Sequence, residues 1–320
     1  MQQNTKAWIA LIFICIAWGT TYLGIKYGLE ALPPFLMAGV RQTIAGLLIG
    51  LIALANRKAN DWSLANVGRQ ALIGFLLITL GNGLVSWAEA YIPSGVAALV
   101  CATMPVMSVL ITLLMHRQER VNAFIIIGML LGFAGVALNF KDSLSDLSNT
   151  KYLMGILATL VATTSWAYGS IMGKKNKPAS NPVFNSALQV LSGGIFLLLF
   201  SPLVDDYNKI NLQNTQALMA IVYLITVGSV LAYTAYMYAL KHLPVGVVMV
   251  YAYINPLVAV LLGWQLAGEP LTMYTLLSFA CIALGVYLVN VGYKRYMGCD
   301  VTKIWCLAIN GYFCYISFYT

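Results

Sequence analysis

Pro93-Ser94-Gly95-Val96-Ala97-Ala98-Leu99-Val100-Cys101-Ala102-Thr103-Met104-Pro105 is the stretch that decides the fold, because its pattern returns as Pro244-Val245-Gly246 through Pro256. Both copies read Pro-x-Gly, nine residues, then Pro, and each is followed by an acid (Glu119, Glu269) and an apolar segment holding a glycine (Gly135, Gly285). A long-period match of this kind marks one structural unit present twice. Working outward from it, Trp18 pairs with Trp166 and Arg41 with Gln189. Ile78-Thr-Leu-Gly81-Asn-Gly-Leu84 pairs with Ile225-Thr-Val-Gly228-Ser-Val-Leu231. Leu84 stands nine residues before Pro93 and Leu231 thirteen before Pro244, so the later helix is about one turn longer and the symmetry is approximate.

The 320 residues are 60% hydrophobic and 9% charged, with a mean hydropathy of +0.81. Soluble domains carry about 25% charged residues, so the composition specifies an integral membrane protein. A hydrocarbon core needs about 20 apolar residues per helix. Apolar runs of that kind cover 7–25, 34–54, 71–91, 94–115, 122–140, 152–172, 183–203, 216–238, 244–264 and 271–292. They are twice the length of a barrel strand and lack strict alternation. The expected fold class is therefore an all-α integral membrane protein of ten transmembrane helices.

The formal net charge of +8 does not indicate a nucleic-acid partner, because the basic residues lie scattered in short loops between apolar runs. Their distribution sets the orientation instead, since basic loops resist translocation. With the N-terminus inside, the cytoplasmic side holds Lys6, Arg57, Lys58, Arg69, Arg117, Arg120, Lys174, Lys175, Lys177, Lys241, Lys294, Arg295 and Lys303; the outer side holds Lys26, Lys141, Lys151 and Lys209. Thirteen against four places both termini in the cytoplasm and supports an even number of spans. Five helices per copy is an odd number, so the copies must enter the membrane in opposite senses, the inverted-repeat plan of many transporters. The expected organisation is 1–140 as the first repeat, 141–151 as a linker, 152–292 as the second repeat, and 293–320 as a C-terminal tail. That tail is aromatic and Cys-rich, and an interfacial segment, an eleventh span and a non-native end all remain open for it. The run beginning at Ala7 reads as a first span rather than a cleaved signal, for want of a small-residue cleavage site. The six cysteines form no CxxC pair and have no histidine at ligand spacing, so no metal site or cofactor is expected. Cys15, Cys101 and Cys281 read as small packing residues.

Several stretches resemble the EamA family of the drug/metabolite transporter superfamily. They are Ala17-Trp18-Gly19-Thr20, Arg41, and Trp87-Ala-Glu89-Ala-Tyr91-Ile-Pro93-Ser-Gly95-Val-Ala-Ala-Leu99, with Pro256, Glu269 and Leu284-Gly285-Val286 in the second half. The resemblance covers 7–292. It implies a ten-helix inner-membrane metabolite carrier, often an exporter, with a central cavity lined by helices 1, 3, 4, 6, 8 and 9. It leaves open amino acids, amines, purines and drugs as the small-molecule substrate.

Within that frame the candidate cavity residues are Trp18, Tyr22, Asn82, Ser86, Trp87, Thr103, Trp166, Ser229, Tyr233, Tyr236, Tyr251 and Asn255. Aromatic rings give an apolar wall with hydroxyl handles and hold cationic groups by cation–π attraction, and the short polar side chains add hydrogen bonds. Such rings equally serve as core or interface-belt residues. Pro105 and Pro256 remove a backbone donor and free the carbonyls of Cys101 and Ala252, which makes them candidate hinges, or packing kinks without substrate contact. Arg41 is the single charge well inside a span, at an insertion cost of about 2.5 to 3.5 kcal/mol. A structural pair with Glu89, an outer gate and contact with a substrate anion all fit it. Glu89 is the carboxylate nearest the cavity and the candidate for proton coupling, or an interfacial group at a helix end. Gly128-x-x-x-Gly132 packs helices within the bundle or between two chains; a monomer in the lipid bilayer is the expectation, a homodimer the alternative.

An intramembrane enzyme would need paired carboxylates, a Ser–His couple or metal ligands at depth, and His116 and His242 fall at helix ends or in loops. No P-loop is present, which argues against ATP-driven pumping by this chain. A non-transporting membrane scaffold or sensor is the alternative reading, ahead of an intramembrane enzyme, although no soluble domain is legible to carry its output.

Overall fold

The computed structural model describes residues 2–55, 60–115, 122–139, 149–174, 181–243, 245–249, 251–267 and 272–296. Glu119, Glu269, Pro244, His116 and the tail beyond Tyr296 lie outside them. Among the described residues there is no strand. The helices, in chain order, are α1 (Gln2–Gly28), α2 (Pro34–Ala55), α3 (Leu64–Ala88), α4 (Ser94–Cys101 and Met104–Met115), α5 (Ala123–Asn139) and α6 (Thr150–Lys174). They continue with α7 (Pro182–Val204), α8 (Thr215–His242), α9 (Val245–Val248 and Tyr251–Ala267) and α10 (Met273–Tyr296). Among the described residues, six stretches are long and apolar enough to cross a membrane: Thr5–Gly28, Pro34–Ala55, Leu64–Ala88, Ser94–Thr112, Pro182–Val204 and Thr215–His242. Shorter apolar helices, Ala123–Gly132, Tyr251–Leu266 and Leu276–Gly285, accompany them.

Apolar runs underestimate these helices where polar residues continue the spiral. α3 starts at Leu64 rather than at 71, because Ser63 caps it by accepting from Asn66 N and the polar turn Asn66–Gln70 is helical. α10 continues to Tyr296, into the segment expected to begin the tail.

Two helix pairs form the seams of the molecule, α2 with α7 and α5 with α10, and in each the partners are equivalents in the sequence repeat. Their backbones touch through glycine. A Cβ on Gly46 would lie 2.5 Å from Leu191 N, and one on its equivalent Gly194 would lie 2.5 Å from Thr43 N. In the other seam, a Cβ on Gly135 would lie 2.7 Å from Ile282 Cγ1, and one on Gly285 would lie 2.5 Å from the Gly128 carbonyl oxygen. Gly128 and Gly132 thus face Gly285 of the same chain. Where lipid is as apolar as leucine, such close backbone contact is what holds helices together.

The ends of these pairs show their direction. At the end of α7, Asp205 accepts from Phe35 N at 3.2 Å and Leu36 N at 2.6 Å, and so caps the start of α2. Near the opposite ends, Asn181 before α7 donates to Asn60 after α2 at 2.8 Å. Asn122, before α5, donates to the Gly292 carbonyl near the end of α10 at 2.7 Å. Equivalent helices are therefore antiparallel, as two inverted copies require.

α3 and α8 share a further departure from regularity. Phe75–Gly83 and Leu224–Leu231, the two stretches matched as Ile78–Leu84 and Ile225–Leu231, are both π-helical. A π turn inserts one residue into the helical ladder, which swings neighbouring side chains around the axis.

A hydrogen-bond ladder ties α3, α7 and α8 together. Gln70 Nε2 donates to Asn66 Oδ1 at 3.0 Å, Gln189 Nε2 to Gln70 Oε1 at 2.6 Å, and Tyr233 OH to Gln189 Oε1 at 2.6 Å. Gln189 and Gln70 are both 0% exposed. Gln189→Leu removes a partner from each neighbour and is expected to cost about 1 to 2 kcal/mol, read as a lower melting temperature of the purified protein.

Candidate functional site

A cavity lies between the two copies, walled by Trp18, Thr21, Tyr22 and Ile25 of α1, Arg41 of α2, Gly81, Asn82 and Val85 of α3, Cys101 and Met104 of α4, Ala162, Thr163 and Trp166 of α6, and Tyr251 and Asn255 of α9. The cavity has a volume of about 70 Å³, room for several waters or the anchored end of a small solute.

One wall is an aromatic cluster. The Trp18 ring centroid lies 5.5 Å from Trp166, 5.0 Å from Tyr236 and 4.8 Å from Tyr251. The polar edges of these rings are tied down. Trp18 Nε1 donates to the Gly228 carbonyl at 3.0 Å, Trp166 Nε1 donates to Tyr236 OH at 3.2 Å, and Tyr251 OH meets Met104 Sδ at 3.1 Å. Only the ring faces and edges are left for the cavity. Asn255, oriented to satisfy its neighbours, donates its amide to the Cys15 and Tyr251 carbonyls, each at 2.9 Å.

Of the side chains expected at a cavity, Trp18, Tyr22, Asn82, Trp166, Tyr251 and Asn255 stand on this wall, and so does Arg41. The others are drawn elsewhere by specific bonds. Ser86 Oγ donates back to the Asn82 carbonyl at 3.0 Å, and Thr103 Oγ1 to the Val100 carbonyl at 2.7 Å. Trp87 packs on Tyr91 with centroids 4.8 Å apart. Ser229 turns to Arg41, accepting from Nε at 2.9 Å. Tyr233 points to Gln189, and Tyr236 shares a 2.5 Å hydrogen bond with Ser170 behind the ring cluster.

The wall also differs from the expected helix set. α8 is displaced from it and α2 enters, because the Trp18 indole and the Arg41 side chain both bond to α8 and stand between it and the cavity. In the other copy Trp166 packs against Gly81, where a Cβ would come within 2.7 Å of its ring, and Gly81 and Asn82 stay on the wall. The two π segments therefore play different parts. That of α3 faces the cavity, and that of α8 holds side chains that do.

The prolines are also unlike each other. α4 breaks at Ala102–Thr103, and Pro105 follows in the first turn of the next helical piece, where a missing N–H leaves no bond unmade. Pro256 lies inside its helix, whose interruption falls earlier, at Met249. Cys101 is on the cavity wall; Ala252 is buried and is not.

Arg41 lies roughly 10 Å along α2 from its start and is 2% exposed. Glu89 caps α3 rather than standing within it, and it is 8% exposed. It is near enough for its charge to act on Arg41, Tyr22 and Cys101. His242 is held locally, its Nδ1 2.8 Å from the Tyr238 carbonyl oxygen.

An apolar helical bundle built from two antiparallel copies around an aromatic and polar cavity defines a polytopic membrane protein made by duplication. The model of the EamA-like transporter family matches residues 5–141 and again 153–291, and the chain belongs to that family. It is a membrane transporter. It is 35% identical over 287 residues to an uncharacterized inner membrane transporter, YedA, of Escherichia coli strain K12, with 88% of this chain and 90% of that protein covered. An uncharacterized transporter of Bacillus subtilis strain 168, YvbV, is 28% identical, with 91% of this chain and 93% of that protein covered. A solved crystal structure shares the fold with a TM-score of 0.67 at 18% identity, covering 91% of this chain and 99% of that one.

Proposed function

We propose that the protein is a secondary transporter that moves a small metabolite across the inner membrane by alternating access, in the direction of export. The observation that carries this reading is the cavity itself, set between antiparallel copies of one unit and reached by side chains of both. Two inverted copies have two equivalent ways of packing, which is the physical basis for opening one site to either side in turn. The matched π segments of α3 and α8 support it, since a helix with an inserted residue can shift register at low cost. In this reading the bundle has ten spans with both termini cytoplasmic, acts on its solute without chemistry or cofactor, and works as a monomer in the bilayer. Glu89, buried beside Arg41, is the group that would exchange the coupling proton.

The test is solute flux in proteoliposomes holding the purified protein, with and without a pH gradient, over a panel of amino acids, amines, purines and drug-like molecules. The expected result is protein-dependent flux of at least one solute, driven by the gradient and losing that drive in Glu89→Gln. Flux of no solute would overturn the transport reading; full gradient-driven accumulation by Glu89→Gln would remove Glu89 from coupling.

A further inference from the structure

On one side the cavity ends at the last turns of α6 and α8, the end that the ten-span reading places in the cytoplasm. Below the ring cluster, Tyr236 OH shares a hydrogen bond with Ser170 Oγ at 2.5 Å and accepts from Trp166 Nε1 at 3.2 Å. Beyond it α6 passes between α3 and α8 on small residues. A Cβ on Gly169 would lie 2.9 Å from Leu77 Cδ2, and one on Gly173 would meet Met237 Cε at 3.6 Å and Ile73 Cγ2 at 4.0 Å. From Trp166 to Lys174 this filled stretch is about 12 Å long. Two cationic side chains close its rim. Arg69 Nη2 of α3 donates to the Met172 carbonyl of α6 at 3.3 Å, and Lys174 Nζ of α6 donates to the Leu243 carbonyl at the end of α8 at 2.6 Å. Each sits on a carbonyl at the C-terminal end of a helix, where positive charge is favoured. The repeated Pro-x-Gly stretch prepares one of these acceptors. A residue before proline is driven out of the helical region, and Leu243, followed by Pro244, has φ -117° and ψ 156°, which turns its carbonyl off the axis of α8.

We propose that Arg69 and Lys174 are the latch of a gate at this end of the cavity, tying the end of α6 to α3 on one side and to α8 on the other while the end is closed. The latch rests on the transporter reading only for the claim that the opened path carries solute. Its two bonds differ from the others between these helices in where they lie. The bonds of Tyr236 to Ser170 and Trp166 are buried, and breaking them leaves polar groups unmade. Lys174 is exposed and Arg69 partly so, and their donors can pass from carbonyl to water at small cost. The rim therefore opens before the ring cluster parts. Arg69 belongs to the first copy and Lys174 and Leu243 to the second, so the latch joins the two copies through the end of α6. Its partners also lie beyond the π segments: Arg69 precedes Phe75–Gly83 and Leu243 follows Leu224–Leu231. A shift of register in either segment moves a latch partner relative to the cavity wall. The repeat sets the same two elements at the opposite end, Lys26 standing eight residues after Trp18 as Lys174 does after Trp166, and Ile92 preceding Pro93.

Labelling of Cys101, on the cavity wall, tests the latch. A small membrane-impermeant thiol reagent, sulfonatoethyl methanethiosulfonate, is added to the full-length protein in inside-out and in right-side-out membrane vesicles, and peptide mass spectrometry reads the Cys101 adduct apart from those of the other cysteines. Lys174→Met and Arg69→Gln are each expected to speed labelling from the cytoplasmic face by about two- to fivefold. Lys174→Arg, which still donates a charged hydrogen bond, is expected to label at the unaltered rate. Lys26→Met removes the same charge at the opposite end and is expected not to speed labelling from the cytoplasmic face. A residue that only caps a helix end would lower the melting temperature without changing the sidedness of labelling. Unchanged or absent labelling from the cytoplasmic face in Lys174→Met, an equal gain from both faces, or the same gain in Lys26→Met would each overturn the proposal. Should Lys174→Met fail to fold, Arg69→Gln decides by the same measure. The flux assay separates the latch from the transport reading. Flux by the unaltered protein with no change of labelling in the variants sinks the latch alone, whereas faster cytoplasmic labelling with no flux of any solute sinks transport and leaves the latch standing.

Discussion

Gly194→Leu is expected to yield no folded protein in detergent extracts, seen as loss of the monodisperse peak in size-exclusion chromatography. The first side-chain carbon would already lie 2.5 Å from Thr43 N and 2.7 Å from Thr43 Oγ1, and these sit in the middle of α2, where the backbone cannot give way alone. Overpacking in an ordinary core costs about 1 to 3 kcal/mol. Here it would force apart a whole seam, the one that carries Asp205 as the cap of α2 and the Gln189 ladder on its other side. Gly50→Leu, at a neighbouring glycine of α2 whose Cβ would meet only the Ala187 methyl at 3.9 Å, is the control and should fold.

Trp18→Ala is expected to have the second largest effect, about 3 to 5 kcal/mol of stability together with loss of flux. The indole fills the space between Trp166, Tyr236 and Tyr251 and satisfies the Gly228 carbonyl in the π segment of α8. Its removal joins the cavity to an empty core. Trp18→Phe keeps most of the packing while losing the N–H and part of the indole's volume, and is expected to cost about 1 to 2 kcal/mol. Melting temperature and flux measured on both variants would show the order unaltered, Phe, Ala. A Trp18→Ala protein with unchanged stability would mean that the ring cluster does not shape the wall.

Much of the cavity wall is legible from residue types in the repeat. Trp18 and Trp166 are repeat equivalents, and they meet each other with perpendicular rings. Arg41 and Gln189 are equivalents too, and both are buried and both bond to α8, through Ser229 and Tyr233. What the spacing does not convey is facing. Tyr233 and Tyr236 share a helix face, but that face turns to α7 and α6 rather than to the cavity. In these helices leucines such as Leu51, Leu130, Leu199 and Leu203 are exposed on the outside while others are buried within, so apolarity does not distinguish lipid from interior. The π turns add to this, because one inserted residue rotates everything beyond it and leaves no mark in composition.

The sequence by itself determined that this chain is a duplicated membrane bundle. Apolar run length and loop charge are properties of residues one at a time, and a repeat survives as spacing. That α2 supplies Arg41 to the cavity while α8 stands behind it was decided only in the tertiary structure. It depends on two bonds between distant segments, Trp18 to Gly228 and Arg41 to Ser229, which close only when the antiparallel seams have set the helices side by side. The Pro-x-Gly stretches announce two equal halves; the glycine contacts bring them together, and those two bonds make their contributions to the cavity unequal.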